Sequence, residues 1–85
     1  MTYRIAVRPA AGRELELLGP KLRVRVGAAI DALAGAPRPP NVRKLTGAQS
    51  LWRVRVGDYR VVYHIDDAAR VVTILAVGHR RDVYR

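Results

Sequence analysis

An α+β domain is predicted from three features of this 85-residue chain. Apolar and charged residues alternate with period two near the N-terminus and again through the C-terminal half; a helical stripe lies between them; and a proline-rich loop marks the change of pattern. The expected arrangement is an N-terminal strand and two helices packed on one face of an antiparallel β-sheet. A single domain spanning 1–85 is expected, because this length supplies one core and is too short for two.

Tyr3, Ile5 and Val7 alternate with Arg4, Ala6 and Arg8, giving a first strand that Pro9 ends. Ala10 to Leu18 reads as a weak helical stretch closed by Gly19. Pro20 then opens a stronger helix from Lys21 to about Leu33. Leu22, Val26, Ile30 and Leu33 recur at spacings of four, four and three, so they share one face and should cover the sheet. Gly35-Ala36-Pro37-Arg38-Pro39-Pro40 cannot continue a helix and biases the backbone toward an extended path. Val42-Arg43-Lys44-Leu45 follows, then a turn at Thr46-Gly47, and then three strands in an antiparallel meander.

The first two strands of the meander form a hairpin. Trp52, Val54 and Val56 alternate with Arg53 and Arg55, and Gly57-Asp58 is a two-residue loop of the kind that closes such a turn. That loop sets the register: Val56 opposite Tyr59, Arg55 opposite Arg60, Val54 opposite Val61, Arg53 opposite Val62 and Trp52 opposite Tyr63. Arg53, Arg55 and Arg60 therefore share a face. Like charges paired directly across strands are destabilising, so the pattern calls for a polyanion to meet them. Beyond a turn near Asp66 to Arg70, pairing Ile65 with Val71 would set His64 against Val72, Val62 against Ile74 and Arg60 against Ala76. Even-numbered residues of the last strand would then share the arginine face, and a regular strand would carry Arg80 to it.

Composition points to the same class of partner. The net charge is +9, and 14 of the 16 basic residues are arginine, whose planar fork suits bidentate contact with phosphate and stacking on bases. An apolar fraction of 49% excludes a disordered chain. With no cysteine and two histidines, neither a disulfide framework nor a zinc cage is expected, and no metal or cofactor is called for. The N-terminus lacks the apolar core of a signal peptide. No stretch approaches the roughly 20 apolar residues of a membrane span. A cytoplasmic location with no membrane partner is the expectation.

The runs Lys44-Leu45-Thr46-Gly47, Leu51-Trp52-Arg53-Val54-Arg55-Val56-Gly57-Asp58-Tyr59-Arg60-Val61-Val62-Tyr63 and Val77-Gly78-His79-Arg80-Arg81-Asp82-Val83-Tyr84 resemble the RelE family of toxins from type II toxin-antitoxin modules. The likeness covers the chain in length and element order and is most specific in the C-terminal half. It implies a RelE-like fold and a ribosome-dependent mRNA endoribonuclease. Such an enzyme cuts the message in the A site, without metal, using the RNA's own 2′-hydroxyl as nucleophile. Carried over by position, Arg53 and Arg55 bind phosphate and Arg60, Arg80 and Tyr84 are catalytic; Lys44, in the first of the quoted runs, is a further candidate for phosphate binding. The resemblance also implies a cognate antitoxin, the ribosome and mRNA as partners, with operator DNA met only through the toxin–antitoxin complex. ParE toxins, which poison DNA gyrase, share the fold but commonly lack the full basic-plus-tyrosine set. Ribonuclease therefore ranks ahead of gyrase inhibition, and ahead of a degenerate toxin acting only in the antitoxin and operator complex.

Cleavage by a 2′-hydroxyl requires that the hydroxyl lose a proton, that the phosphorane be stabilised and that the 5′-oxygen gain a proton. Arg60 and Arg80 suit the second task, because fixed guanidinium donors gain strength as charge builds on the nonbridging oxygens. Tyr84 can stack on a base or orient the 2′-hydroxyl. The family type has lysines where this chain has Arg53 and Arg55, and arginine seldom gives up its proton, so these two are expected to clamp phosphate. His79, an imidazole able to take up or give a proton, is the expected base or acid if the last strand bends after Gly78; strand parity otherwise turns it away. His64 reads as polar lining of the arginine face, and Asp58 and Asp82 as turn and ion-pair residues.

Overall fold

Proline fixes the start of each helix in the computed structural model, which describes residues 2–45 and 51–79. Pro9 occupies the first turn of α1 (Pro9–Glu16) and Pro20 that of α2 (Pro20–Ala32), where a missing N–H costs nothing and a fixed φ is already helical. The residues before them, Arg8 and Gly19, are extended at ψ 148° and 156°, as a following proline requires. Pro9 thus ends the first strand, as expected, and also begins the helix one residue earlier than the sequence pattern suggests.

The strands are β1 (Arg4–Val7), β2 (Val42–Lys44), β3 (Leu51–Val56), β4 (Tyr59–Asp66) and β5 (Val71–His79). They form one sheet in the order β1-β5-β4-β3-β2. β1 runs parallel to β5 and the other neighbours are antiparallel. The meander therefore has a fourth strand beyond the three expected: Val42–Lys44, short and at the sheet edge, pairs with β3. The helices return the chain from β1 at one edge to β2 at the other, with α1 against β5 and α2 against β3. The expected turn at Thr46-Gly47 lies outside the described residues.

One face of the sheet meets the helices. Val26, Ile30 and Leu33 of the predicted α2 stripe are buried with Ala11 of α1 against Val54, Val56, Val61, Tyr63, Ile65, Val72, Ile74 and Val77, and Leu22 packs at the margin. No helix among the described residues is long and apolar enough to cross a membrane. The proline-rich loop is tied down by side chains. The Tyr63 hydroxyl donates to the Pro37 carbonyl at 2.7 Å, and burial pushes that phenol up to about 12. Arg38 forks onto Asp67 at 2.8 and 3.3 Å, and the Tyr3 hydroxyl donates to the same carboxylate at 2.6 Å. Hydrogen bonds from Arg38 and Tyr3 hold Asp67 below the usual carboxylate range, and the bond to Asp67 raises Tyr3.

The β3–β4 hairpin has the register the two-residue loop dictates, from Trp52 opposite Tyr63 to Val56 opposite Tyr59. The β4–β5 pairing differs from expectation in two steps. Asp66 pairs with Val71, so Ile65 faces Val72 and His64 faces Thr73. The Asp66 carboxylate accepts the Ala69 N–H at 2.9 Å, and Arg70 takes a left-handed φ of 56°, closing the turn one residue tighter. A bulge then falls between Val62 and Tyr63: Tyr63 faces Ile74 while Val62 faces Ala76, leaving Leu75 as the extra residue. The two slips cancel in facing. Val72 and Ile74 belong to the core, against expectation, whereas Ala76 and Gly78 lie opposite Val62 and Arg60 on the arginine face.

Candidate nucleic-acid interface

The face of the sheet turned from the helices is built by alternation. On β3, Val54 and Val56 enter the core, so Arg53 and Arg55 must emerge on the other side; on β4, Val61 and Tyr63 send Arg60 to the same side. Arg55 stands directly opposite Arg60. At the next strand pair the motif repeats, with Arg43 of β2 directly opposite Arg53. Arg43, Arg53, Arg55 and Arg60 line one concavity of about 240 Å³, and Asn41 completes its wall. Beside Arg60 and Val62 the sheet offers only the small residues Gly78 and Ala76, which keeps the floor low on that side.

Local contacts fix the approach of these side chains. Arg55 Nε donates to the Gly57 carbonyl at 3.1 Å, and Asn41 Nδ2 donates to the Arg55 carbonyl at 3.3 Å. Gly57 has a φ of +60° while Asp58 does not take a positive φ, the pattern of a II′ turn with glycine first. A Cβ built at Gly57 would meet the guanidinium nitrogens of Arg25 at 3.7 and 3.8 Å, so α2 adds a further cation at the hairpin tip.

Of the residues singled out in the sequence, the structure brings Arg53, Arg55 and Arg60 together. Lys44 is not with them. It pairs with Trp52, whose parity is that of the helix side, and its Nζ lies 5.8 Å from the Trp52 ring centroid; Arg38 lies 5.0 Å from the same ring. His79 is also turned away. No bend intervenes after Gly78, since β5 continues through His79 in register with Tyr59, and the two rings meet edge to face with centroids 5.6 Å apart. His64 sits on the arginine face toward its far end, opposite Leu51 and Thr73. Arg80, Asp82 and Tyr84 lie outside the described residues. Sequence reasoning missed Arg43 and Asn41. The alternation of Val42, Arg43 and Lys44 is the signal that would have placed Arg43 opposite Arg53.

Fold and site together define a small arginine-faced α+β protein, its helices on one side of the sheet and Arg43, Arg53, Arg55 and Arg60 gathered on the other. Residues 5–84 match the family described as the ParE toxin of type II toxin-antitoxin system, parDE. The chain belongs to the RelE family of type II toxins, within the RelE/ParE superfamily. It is 38% identical to Toxin RelG of Mycobacterium tuberculosis, the match covering 100% of this chain and 99% of that protein. Toxin RelE of the same organism is 33% identical, over 98% of this chain and 87% of the relative. Among solved structures, the archaeal RelE–RelB complex from Pyrococcus horikoshii contains a chain similar at TM-score 0.85 and 32% identity, covering 98% of this chain and 100% of that one. The RelBE2 toxin–antitoxin complex from M. tuberculosis gives 0.82 at 29% identity, covering 94% and 100%.

Proposed function

We propose that this toxin is a metal-independent, ribosome-dependent mRNA endoribonuclease. The observation that carries the reading is the concavity in which Arg43, Arg53, Arg55 and Arg60 meet as two directly opposed pairs. Like charges paired directly across strands repel one another, and a phosphate backbone lying between them offsets that repulsion. In this reading Arg43, Arg53 and Arg55 clamp the phosphates of the message. Arg60 and Arg80 donate to the nonbridging oxygens as the 2′-oxygen adds to phosphorus and the bond to the 5′-oxygen breaks, with a net proton transfer from the first oxygen to the second. Tyr84 orients the sugar or stacks on the base. Lys44 and His79, facing the helix side, serve packing at Trp52 and Tyr59. The toxin–antitoxin complexes formed by its structural relatives support a cognate antitoxin, and that antitoxin carries the toxin to operator DNA.

Primer extension on a defined mRNA, with and without programmed ribosomes, tests the reading in the cytoplasmic translation machinery it assumes. Cuts confined to the A-site codon, dependent on ribosomes and weakened about a hundredfold in Arg60→Ala, are expected. Tyr84→Phe should also weaken them. Message left intact in every lane rejects it. The match to the ParE model keeps gyrase inhibition as the second reading, and a supercoiling assay decides it.

A further inference from the structure

A second cleft adjoins the arginine concavity. It measures about 620 Å³, within the roughly 300–1,000 Å³ of small-molecule sites. Pro40, Asn41, Val42, Arg43, Arg55, Gly57 and Asp58 line it. Asn41, Arg43 and Arg55 belong to both, so a strand held by the arginines continues into this cleft. Asp58 is the one acidic side chain among the described lining residues. Its carboxylate has no hydrogen bond or ion pair among the described residues, although two arginines line the same cleft.

A carboxylate beside a phosphate path repels phosphate, and it can only accept hydrogen bonds. RNA presents two kinds of donor, the 2′-hydroxyl of each ribose, which is the same in every nucleotide, and the N–H groups of the bases, which differ from base to base. Guanine alone offers two adjacent donors, N1–H and N2–H, on its pairing edge, matching the two oxygens of one carboxylate. Pro40 supplies an apolar wall for the ring. Asn41, whose Nδ2 is committed to the Arg55 carbonyl, has its Oδ1 left as a further acceptor. We infer that the cleft at the hairpin tip is a base-reading subsite for single-stranded RNA, in which Asp58 selects guanine in a nucleotide flanking the phosphate held by the arginines. The inference rests on the proposed function for its substrate class.

The test uses fluorescence-detected binding of short 2′-O-methyl RNAs that carry guanine, inosine or adenine at one central position, and it needs neither ribosomes nor cleavage. Inosine lacks only the 2-amino donor. The unaltered toxin should bind the guanine oligomer about tenfold more tightly than the inosine oligomer. Asp58→Ala should level the two. Asp58→Asn, which keeps a turn-compatible residue but presents one donor and one acceptor, should move the preference toward adenine. Equal guanine-to-inosine ratios in toxin and Asp58→Ala overturn the inference. Ribosomal cleavage maps of the same variants separate the two claims: guanine selection in binding without any ribosomal cutting sinks the enzyme reading and leaves the subsite standing.

Discussion

The Glu14 carboxylate, on α1, accepts a hydrogen bond from the backbone N–H of Val77 at 2.9 Å. β1 accompanies β5 from Val71 to Ile74, and beyond that point no strand among the described residues lies beside the outer edge of β5. Glu14 supplies a partner to that edge just past the Leu75 bulge, where β5 changes which residues face the core. Glu14→Ala should leave the Val77 amide unpaired, cost about 1–3 kcal/mol in urea unfolding and speed its hydrogen exchange. Glu14→Gln keeps an acceptor oxygen and should recover most of both. Unchanged exchange at Val77 in the alanine variant would show that the contact does not hold the strand.

Arg43 and Lys44 are neighbours in sequence that emerge on opposite faces of the sheet, and RNA binding should tell them apart. Arg43 is exposed and lines the concavity, so Arg43→Ala should change stability by no more than about 0.5 kcal/mol. It should also reduce the salt slope of single-stranded RNA binding by about 0.7. Lys44→Ala should leave that slope in place, shift the fluorescence of Trp52 and cost about 0.5–1 kcal/mol of cation–π stabilisation. Equal losses of slope in the two variants would contradict the facing seen here.

The contrast between the two hairpins explains what could be read from the sequence. Gly57-Asp58 admits one loop length, and with a period of two that single constraint places every residue from Leu51 to His64 on its correct face. The Asp66–Arg70 turn admits several closures, and nothing in Val71-Val72-Thr73-Ile74-Leu75-Ala76-Val77 announces a bulge, because every residue is compatible with either face. The arginine face was therefore legible where charge alternates with valine and illegible where apolar residues run unbroken. Val42–Lys44 was missed for another reason: three residues are too few for a period to register, and pairing with β3 is what makes them a strand.

His79 meets Tyr59 edge to face at an interplanar angle of 84° on the helix side of the sheet. Such a contact contributes about 0.5–1.5 kcal/mol beyond burial, so His79→Ala should lower stability by that order and His79→Phe should restore it. Cleavage by His79→Phe should retain the unaltered toxin's pH profile. Loss of one limb of that profile in this variant would instead assign His79 to proton transfer.

Stability should fall at both ends of the pH scale for separate reasons. Tyr63 is buried with its hydroxyl on Pro37, and its ionisation is pushed from 10.0 to about 12. The folded state therefore holds this proton more tightly than the unfolded chain. Its contribution is complete below pH 10 and is lost as pH rises through about 12. Tyr3, raised chiefly by its bond to Asp67, adds to the same alkaline loss. Asp67 has the opposite sign. The Arg38 and Tyr3 hydrogen bonds depress it below 3.8, so its contribution is present above that pH and is lost as pH falls through its folded value. Urea unfolding across the pH range should thus show a plateau bounded near 4 and 10. Asp67→Asn should flatten the acid limb and leave the alkaline limb controlled by Tyr63. Tyr63→Phe should flatten the alkaline limb while lowering the plateau, because the Pro37 carbonyl loses its donor. An alkaline limb unchanged in Tyr63→Phe would mean that the buried phenol does not titrate with unfolding.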